Sequence, residues 1–399
     1  MSEISDMIQR LCPDGVEYRK LGEVCEILDS QRKPVSKGKR NAGKFPYYGA
    51  NGIQDYVDNY IFNGTFLLIG EDGSVINADK SPVINWATGK IWVNNHAHIL
   101  SELINIAHLR YLYYVLQTVD VSNIVRGTPP KLNQANLRDI EIPVPPLEVQ
   151  RKIVEVLDNF SELTAELEAE LEAELEARKK QYEYYRDNLL NFNRGGQVAS
   201  DVKWMKLGDV MTIVRGASPR PIQRYLTSNT DGIHWIKIGD VNPNSKYIES
   251  TTEYITMDGS KKSRFLEKGS FILSNSMSFG RPYILNIDGC IHDGWISMVD
   301  YEKYFIQDFL YHLLRSDLIQ RYWRMKASSG TVSNLNADIV RSTVVPIPPI
   351  EKQKEIASVL DRLSALTTDL TAGLPAEIKA RQQQYEYYRD QLLTFKRAN

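Results

Sequence analysis

The chain has 399 residues, with 48 Lys and Arg against 50 Asp and Glu, a formal net charge of −2, and 42% hydrophobic content. That balance is ordinary for a soluble protein of more than one domain, and it excludes a chain that is basic throughout. Cys12, Cys25 and Cys290 are odd in number and far apart, with no CxxC pair. This argues against a disulfide framework or a zinc ribbon and for a reducing compartment. No apolar run reaches membrane length and no export signal is evident, so the expected location is cytoplasmic, without a membrane partner.

Residues 1–15 read as a helical arm ending at Pro13-Asp14-Gly15. Residues 16–147 form a first globular domain. Thr65-Phe66-Leu67-Leu68-Ile69 and Ile91-Trp92-Val93 are its strands, Asn51-Gly52, Asp72-Gly73 and Thr88-Gly89 its turns, and 109–116 a helix. The domain closes on Ile142-Pro143-Val144-Pro145-Pro146, whose prolines hold it extended and hand over to a helix.

That helix, expected over 148–193, carries apolar residues at steps of three and four: Ile153, Leu157, Phe160, Leu163, Leu167, Leu171, Leu175, Tyr182, Tyr185 and Leu189. It would span roughly 65 Å, too long and one-sided to stand alone. A connector with Gly195-Gly196 leads to a second domain over 202–349. It has strands at Trp235-Ile236-Lys237-Ile238 and Phe271-Ile272-Leu273, a helix from Phe309 to Met325, and an exit Val345-Pro346-Ile347-Pro348-Pro349. A second helix over 350–397 follows.

The halves repeat. Gln181-Tyr182-Glu183-Tyr184-Tyr185-Arg186-Asp187 recurs 203 residues on as Gln384-Tyr385-Glu386-Tyr387-Tyr388-Arg389-Asp390. The same register pairs Pro145-Pro146 with Pro348-Pro349 and Gly127-Thr128 with Gly330-Thr331. Lys20-Leu21-Gly22-Glu23-Val24 returns as Lys206-Leu207-Gly208-Asp209-Val210. The flanks repeat almost verbatim while the domain interiors barely align. The seam of the second helix answers the first through Leu366, Leu370, Leu374, Tyr385 and Tyr388, with Pro375 placed to kink or break it. The expectation is an α+β chain with an internal pseudo-two-fold repeat: two mixed α/β domains separated by a long antiparallel two-helix coiled coil.

Within the first helix Thr164-Ala165-Glu166-Leu167, Glu168-Ala169-Glu170-Leu171 and Glu172-Ala173-Glu174-Leu175 form a tetrapeptide series. Each unit advances a helix by ~6 Å and rotates it by a net ~40°, close to the ~35° of one base pair. Such a segment suits a ruler, although Ala, Glu and Leu are also simply good helix formers.

Chemistry is sparse. No Walker loop, HExxH, CxxC or GxSxG occurs, and no Pro-Pro pair has the context of an amine methyltransferase. His96 and His98 lie two apart on an expected strand, which favours core or surface histidines over a metal site. Neither a catalytic site nor a metal site is expected. Binding features are richer. The first domain carries Arg32, Lys33, Lys37, Lys39, Arg40 and Lys44 beside Tyr47, Tyr48 and Asn51. The second carries Arg215, Ser218, Arg220, Arg224, Lys237, Asn275, Ser276 and Arg281. Basic loops next to aromatics and amides suit phosphate contacts flanked by base-edge readers, and equally a solvated surface. Three readings stay open on the residues alone: a two-part duplex-DNA reader, a coiled-coil scaffold without DNA, and a self-contained DNA methyltransferase or nuclease.

The duplicated plan, the spacer Leu163-Thr164-Ala165-Glu166-Leu167, the run Arg178-Lys179-Lys180 with the heptad at 181–187, and Gly373-Leu374-Pro375 with 384–390 resemble the specificity subunits of type I restriction–modification enzymes, the IC branch in particular. The resemblance implies two target recognition domains, each reading one half of a bipartite DNA site. It implies helices that set spacing and dock two modification subunits, which carry S-adenosylmethionine. Restriction subunits using ATP and Mg would join them, and this chain itself would bind no cofactor. Glu stands where the family's tetrapeptide often begins with Thr, so the resemblance does not give the half-site spacing, and DNA contacts do not carry over residue by residue.

Overall fold

The computed structural model describes residues 2–194, 197–198, 201–229, 231–242, 245–275, 279–328, 334–368 and 373–398. Ser276, Leu370, Gly195-Gly196 and Gly330-Thr331 lie outside the described residues. The chain divides into two compact units, Met1–Glu168 with Ala380–Asn399, and Ala169–Lys379. Each unit therefore owns one α/β domain, the start of one long helix and the end of the other.

In the first unit a six-stranded sheet runs in the order Cys25–Ile27, Ala97–Glu102, Phe62–Gly70, Ile84–Val93, Ala42–Gly49, Gly52–Val57. The first three pairings are antiparallel, and the fifth strand joins in parallel. The second unit repeats this order over Thr212–Arg215, Trp295–Val299, Phe271–Ser274, Pro282–Leu285 and Tyr247–Ile248, again with a parallel fifth strand. Beyond that shared frame the halves part. The first adds the hairpin strand Gly52–Val57; the second adds a separate five-stranded sheet running Leu226–Thr227, Tyr254–Ile255, Ile233–Ile236, Gly289–Ile291, Arg264–Leu266.

Polar contacts of the frame recur as faithfully as its strands. Buried Gln150 accepts the His108 N–H at 2.9 Å and donates to the carbonyls of Ile106 and Pro145. Buried Gln353, 203 residues on, accepts the Ile306 N–H at 3.0 Å and donates to Tyr304 and Pro348. Asn133 and Asn336 each cap a five-residue helix through their side chains. In both halves the glycine of the repeated Lys-Leu-Gly packs tightly against an arginine side chain. A Cβ at Gly22 would lie 3.0 Å from the Arg138 side chain, and one at Gly208 3.0 Å from that of Arg341.

The first long helix is continuous over Leu147–Leu189; the described residues of the second form Ile350–Thr368 and Leu374–Leu393, with Pro375 in the first turn of the latter, where a proline is tolerated. In the first unit Val149, Ile153 and Leu157 from the start of one helix share a core with Leu392, Leu393 and Phe395 from the end of the other. In the second unit Ile356, Ala357 and Leu360 share one with Tyr182 and Leu190. Within each unit the start of one helix thus meets the end of the other.

Three sequence readings need correction. Thr88-Gly89 is no turn: it lies inside Ile84–Val93, paired with Thr65 and Gly64, and the φ of +80° at Gly89 is absorbed within the strand. Lys237 lies past its strand, at the N-cap of a short turn, because Asp240 accepts its backbone N–H. The expected helix from Phe309 to Met325 is two, Gln307–Arg315 and Asp317–Ser328. Ser316 is extended between them, and Asp187 from the repeated heptad caps the second by accepting the Asp317 N–H at 2.9 Å.

Candidate nucleic-acid interface

The first domain sorts its candidate residues into an inside and an outside set. Arg32 is inside: its guanidinium pairs with Glu71 and lies 3.5 Å from Asp29, and it donates to the Ala97 carbonyl. His98 is fully buried, with Nδ1 2.6 Å from Asp29 and Nε2 2.8 Å from the Leu132 carbonyl. His96 precedes the strand and faces Asp72 instead. Asp29, Glu71 and His98 offer ligand atoms within 4.8 Å of one another. The positive charge beside that donor set is a guanidinium, and Gln134 also donates to Asp29. Burial pushes the Asp29 carboxyl up; the bonds from His98 and the Ile99 N–H, with Arg32 nearby, outweigh it and hold the group below the usual range.

Tyr47 and Tyr48 are buried as well. The Tyr47 hydroxyl accepts the Val35 N–H at 3.0 Å, its ring carries the Arg40 guanidinium at 4.1 Å and lies against Trp92, and Trp92 Nε1 donates to the Lys33 carbonyl at 2.6 Å. Arg40 also bonds the Val35 carbonyl and reaches Asp55 at 3.2 Å. These contacts fix a loop whose exposed face presents Lys33, Lys37 and Lys39, with Lys44 exposed on the neighbouring strand and Asn51 at a hairpin turn. Trp92 and Asp55 were not among the expected residues.

In the second domain the structure gathers four expected residues around one that the sequence reading missed. Asp293 sits in the turn between Gly289–Ile291 and Trp295–Val299. Ser218 donates to its Oδ1 at 2.9 Å, while Arg220 and Arg215 approach Oδ2 at 3.5 and 4.0 Å. Its backbone carbonyl accepts from Arg215 Nε and Asn275 Nδ2. The loop reaches this turn because residue 216 is glycine: a Cβ there would meet the His292 carbonyl at 2.1 Å. The bond from Ser218 holds the Asp293 carboxyl below the usual range. Arg224 is exposed on a separate short turn, Lys237 pairs with Glu253 at 2.7 Å, and Arg281 leads into Pro282–Leu285. An Asp-Gly pair between two apolar runs was the available signal for Asp293.

The helix seam is uneven. Leu171 and Tyr182 are buried, Leu167, Leu374, Tyr385 and Tyr388 half-buried, and Leu163, Tyr185 and Leu366 exposed. A single paired stripe covers each helix on one side only. Tyr385 packs at a tilt against Phe160 and bonds Ser161 at 2.9 Å; Tyr182 bonds His312 Nδ1 at 2.9 Å. The next tyrosine of each heptad turns outward, Tyr184 at 65% and Tyr387 at 60% exposure.

No helix among the described residues is long and apolar enough to cross a membrane. The type I restriction modification DNA specificity domain family matches residues 13–177 and again 199–380. The chain is 37% identical, over 95% of its length and 96% of the relative's, to a putative type I restriction enzyme specificity subunit of Haemophilus influenzae, S.HindORF215P. It is 29% identical to the EcoR124I/EcoR124II specificity subunit of Escherichia coli, over 99% and 98%. Among solved structures, a chain from work on complex assembly and conformational transition of the type I R-M system matches with a TM-score of 0.67 at 16% identity, covering 95% of this chain and 97% of that one. At that identity the likeness shows the fold alone.

Proposed function

The chain belongs to the type I restriction–modification specificity-subunit family, resembling its IC branch, and as a non-catalytic specificity subunit it works with DNA and other subunits; on that premise we propose how its parts divide the work. Residues 16–147 and 202–349 are the two target recognition domains, each reading one half of a bipartite duplex site. In the first, Lys33, Lys37, Lys39 and Lys44 take phosphates, and Asn51 lies at the base edges. In the second, Arg215, Ser218, Arg220, Arg224, Asn275, Ser276 and Arg281 make up the reading face. Arg32, Tyr47 and Tyr48 shape their domain from within.

The helices space the readers and dock two modification subunits, which supply S-adenosylmethionine chemistry on adenine. Restriction subunits, with ATP and Mg, complete the assembly in the cytoplasm. One observation carries this reading: the two units share five strands in one order and the same buried glutamine contacts, yet present unlike basic faces. They also turn the same tyrosine of the repeated run outward, Tyr184 in one and Tyr387 in the other. Like surfaces suit two copies of one partner; unlike surfaces suit two different half-sequences.

The test is a methylome of cells carrying the chain with its modification and restriction subunits. A bipartite motif is expected, and replacing residues 202–349 with those of a relative should change one half-sequence only. Deleting Glu168-Ala169-Glu170-Leu171 should shorten the gap and leave both half-sequences intact. A motif that changes in both halves on the domain exchange sinks the division of labour.

A further inference from the structure

Asp293 is out of place on a basic face. A carboxylate beside DNA phosphates is repelled, so it persists there at a cost in affinity unless a donor on the DNA meets it. Ser218 holds one oxygen, and the loop carrying Ser218 is pinned by the close approach at Gly216 and by the Gly216 N–H bond to the Trp295 carbonyl. The carboxylate is thus aimed by the fold, with its side chain 41% exposed. Its companions at Oδ2 are held less firmly. Arg220, 83% exposed at 3.5 Å, is a loose surface pair that a phosphate can draw away at little cost, and Arg215, tied through Nε to the Asp293 carbonyl at 2.8 Å, comes only within 4.0 Å of Oδ2. Once Arg220 leaves, Oδ2 is an acceptor with no hydrogen-bond donor among the described residues.

The base edges then decide what it can meet. In the major groove guanine shows two acceptors and thymine one acceptor beside a methyl group. Adenine sets an acceptor next to its amino group, and cytosine offers only the amino donor. A fixed carboxylate fits the last and is repelled by the others. Resting on the reading of 202–349 as a recognition domain, we infer that Asp293 is a specificity-determining residue whose carboxylate accepts the N4 amino group of a cytosine in the second half-site. Arg215 and Arg220 screen that carboxylate in the free protein, and Arg220 moves to a phosphate in the complex.

The experiment uses the chain assembled with its modification subunits and competition binding against duplexes in which each base pair of the methylome-defined site is replaced in turn. The wild-type complex should discriminate against every replacement of one C·G pair in the second half-site by about tenfold. Asp293→Asn, which can also pair with adenine, should lower that discrimination to under about threefold at this position alone. If Asp293→Asn does not assemble, Asp293→Glu takes its place. It keeps the charge beside the arginines but displaces the carboxylate, and should lose discrimination at the same position. Unchanged discrimination in the assembled variant, or a uniform change at every position, overturns the role of Asp293 while leaving the domain assignment standing. A wild-type complex that shows no bipartite preference overturns the assignment, and the inference with it.

Discussion

The two recognition domains share a sheet and treat charge in opposite ways. The first packs its carboxylates, Asp29 and Glu71, against Arg32 and His98, with side chains only 4% and 12% exposed. The second leaves the Asp293 carboxylate half-exposed, with Arg220 and Arg215 no nearer to it than 3.5 and 4.0 Å. A buried network fixes the shape of a loop and leaves the lysines on its rim exposed, where the proposed reading has them meet phosphates. An exposed one keeps its charges free to change partner. One scaffold therefore hosts two kinds of reader because the frame residues, not the reading residues, hold it together.

The largest expected effect tests that contrast directly. Arg32→Ala removes the guanidinium shared by two carboxylates, leaving Asp29 to His98, Ile99 and Gln134 and Glu71 to Lys131, and should cost about 2–3 kcal/mol of stability, whereas Arg220→Ala, exposed and loosely paired, should cost less than about 1 kcal/mol. Urea unfolding of the purified chain measures both, and comparable losses would erase the distinction between a buried organiser and an exposed one. Next in size come Gln150→Leu and Gln353→Leu. Each removes three hydrogen bonds and leaves a buried N–H without a partner, for about 2 kcal/mol. Because these two belong to the shared frame, their losses should match; a wide gap would mean the frames are alike in trace only.

The frame was legible in the sequence because its signals are local or verbatim. The Pro-Pro exits, the heptads and the apolar stripe announced a duplication, two mixed α/β domains and long helices, and Pro375, expected to kink or break the second helix, falls in the first turn of its Leu374–Leu393 segment. What escaped was set by contacts across sequence. Ser316 looks like an ordinary helical residue until Asp187, 129 positions earlier, caps the chain after it. Thr88-Gly89 has turn chemistry, but eight consecutive ladder pairs with Phe62–Ile69 override it. In the candidate interface the basic residues were visible as charge. Whether each was rim or core was not, since Arg32 and Lys33 differ only in what lies behind them.

A subtler contrast lies where each domain meets its helices. Tyr114 bonds Asp158 at 2.6 Å in the first unit; His312 bonds Asp361 at 2.9 Å in the second. A carboxylate only accepts, so neutral His312 carries its proton on Nε2 and takes the Tyr182 hydroxyl at Nδ1. Burial lowers the His312 pKa from 6.5. The unfolded chain then binds the proton more readily, so the histidine's contribution is complete above pH 6.5 and fades as pH falls through the lower folded value. Burial pushes the Asp361 carboxyl up, but the bonds from His312 and Lys246 bring it below its usual range, so its own loss comes at more acidic pH. His312→Tyr, which copies the first unit, should flatten the stability profile just below pH 6.5, followed by thermal unfolding in matched buffers. A profile unchanged by the substitution would place the titration elsewhere.

The smallest effect separates screening from shape in the first domain. Lys37 and Lys39 sit exposed on the turn Lys37–Lys39. Each should release about one counterion equivalent on meeting a phosphate, so Lys37→Ala and Lys39→Ala should each reduce the slope of log affinity against log salt by about 0.9. The preferred half-sequence should not move, because phosphate contacts carry register and not base identity. Filter binding of the assembled complex at several salt concentrations reads the slope, and the methylome reads the sequence. A changed half-sequence with an unchanged slope would make these lysines base readers, and the rim of the first domain would then work by the same rule as the turn at Asp293.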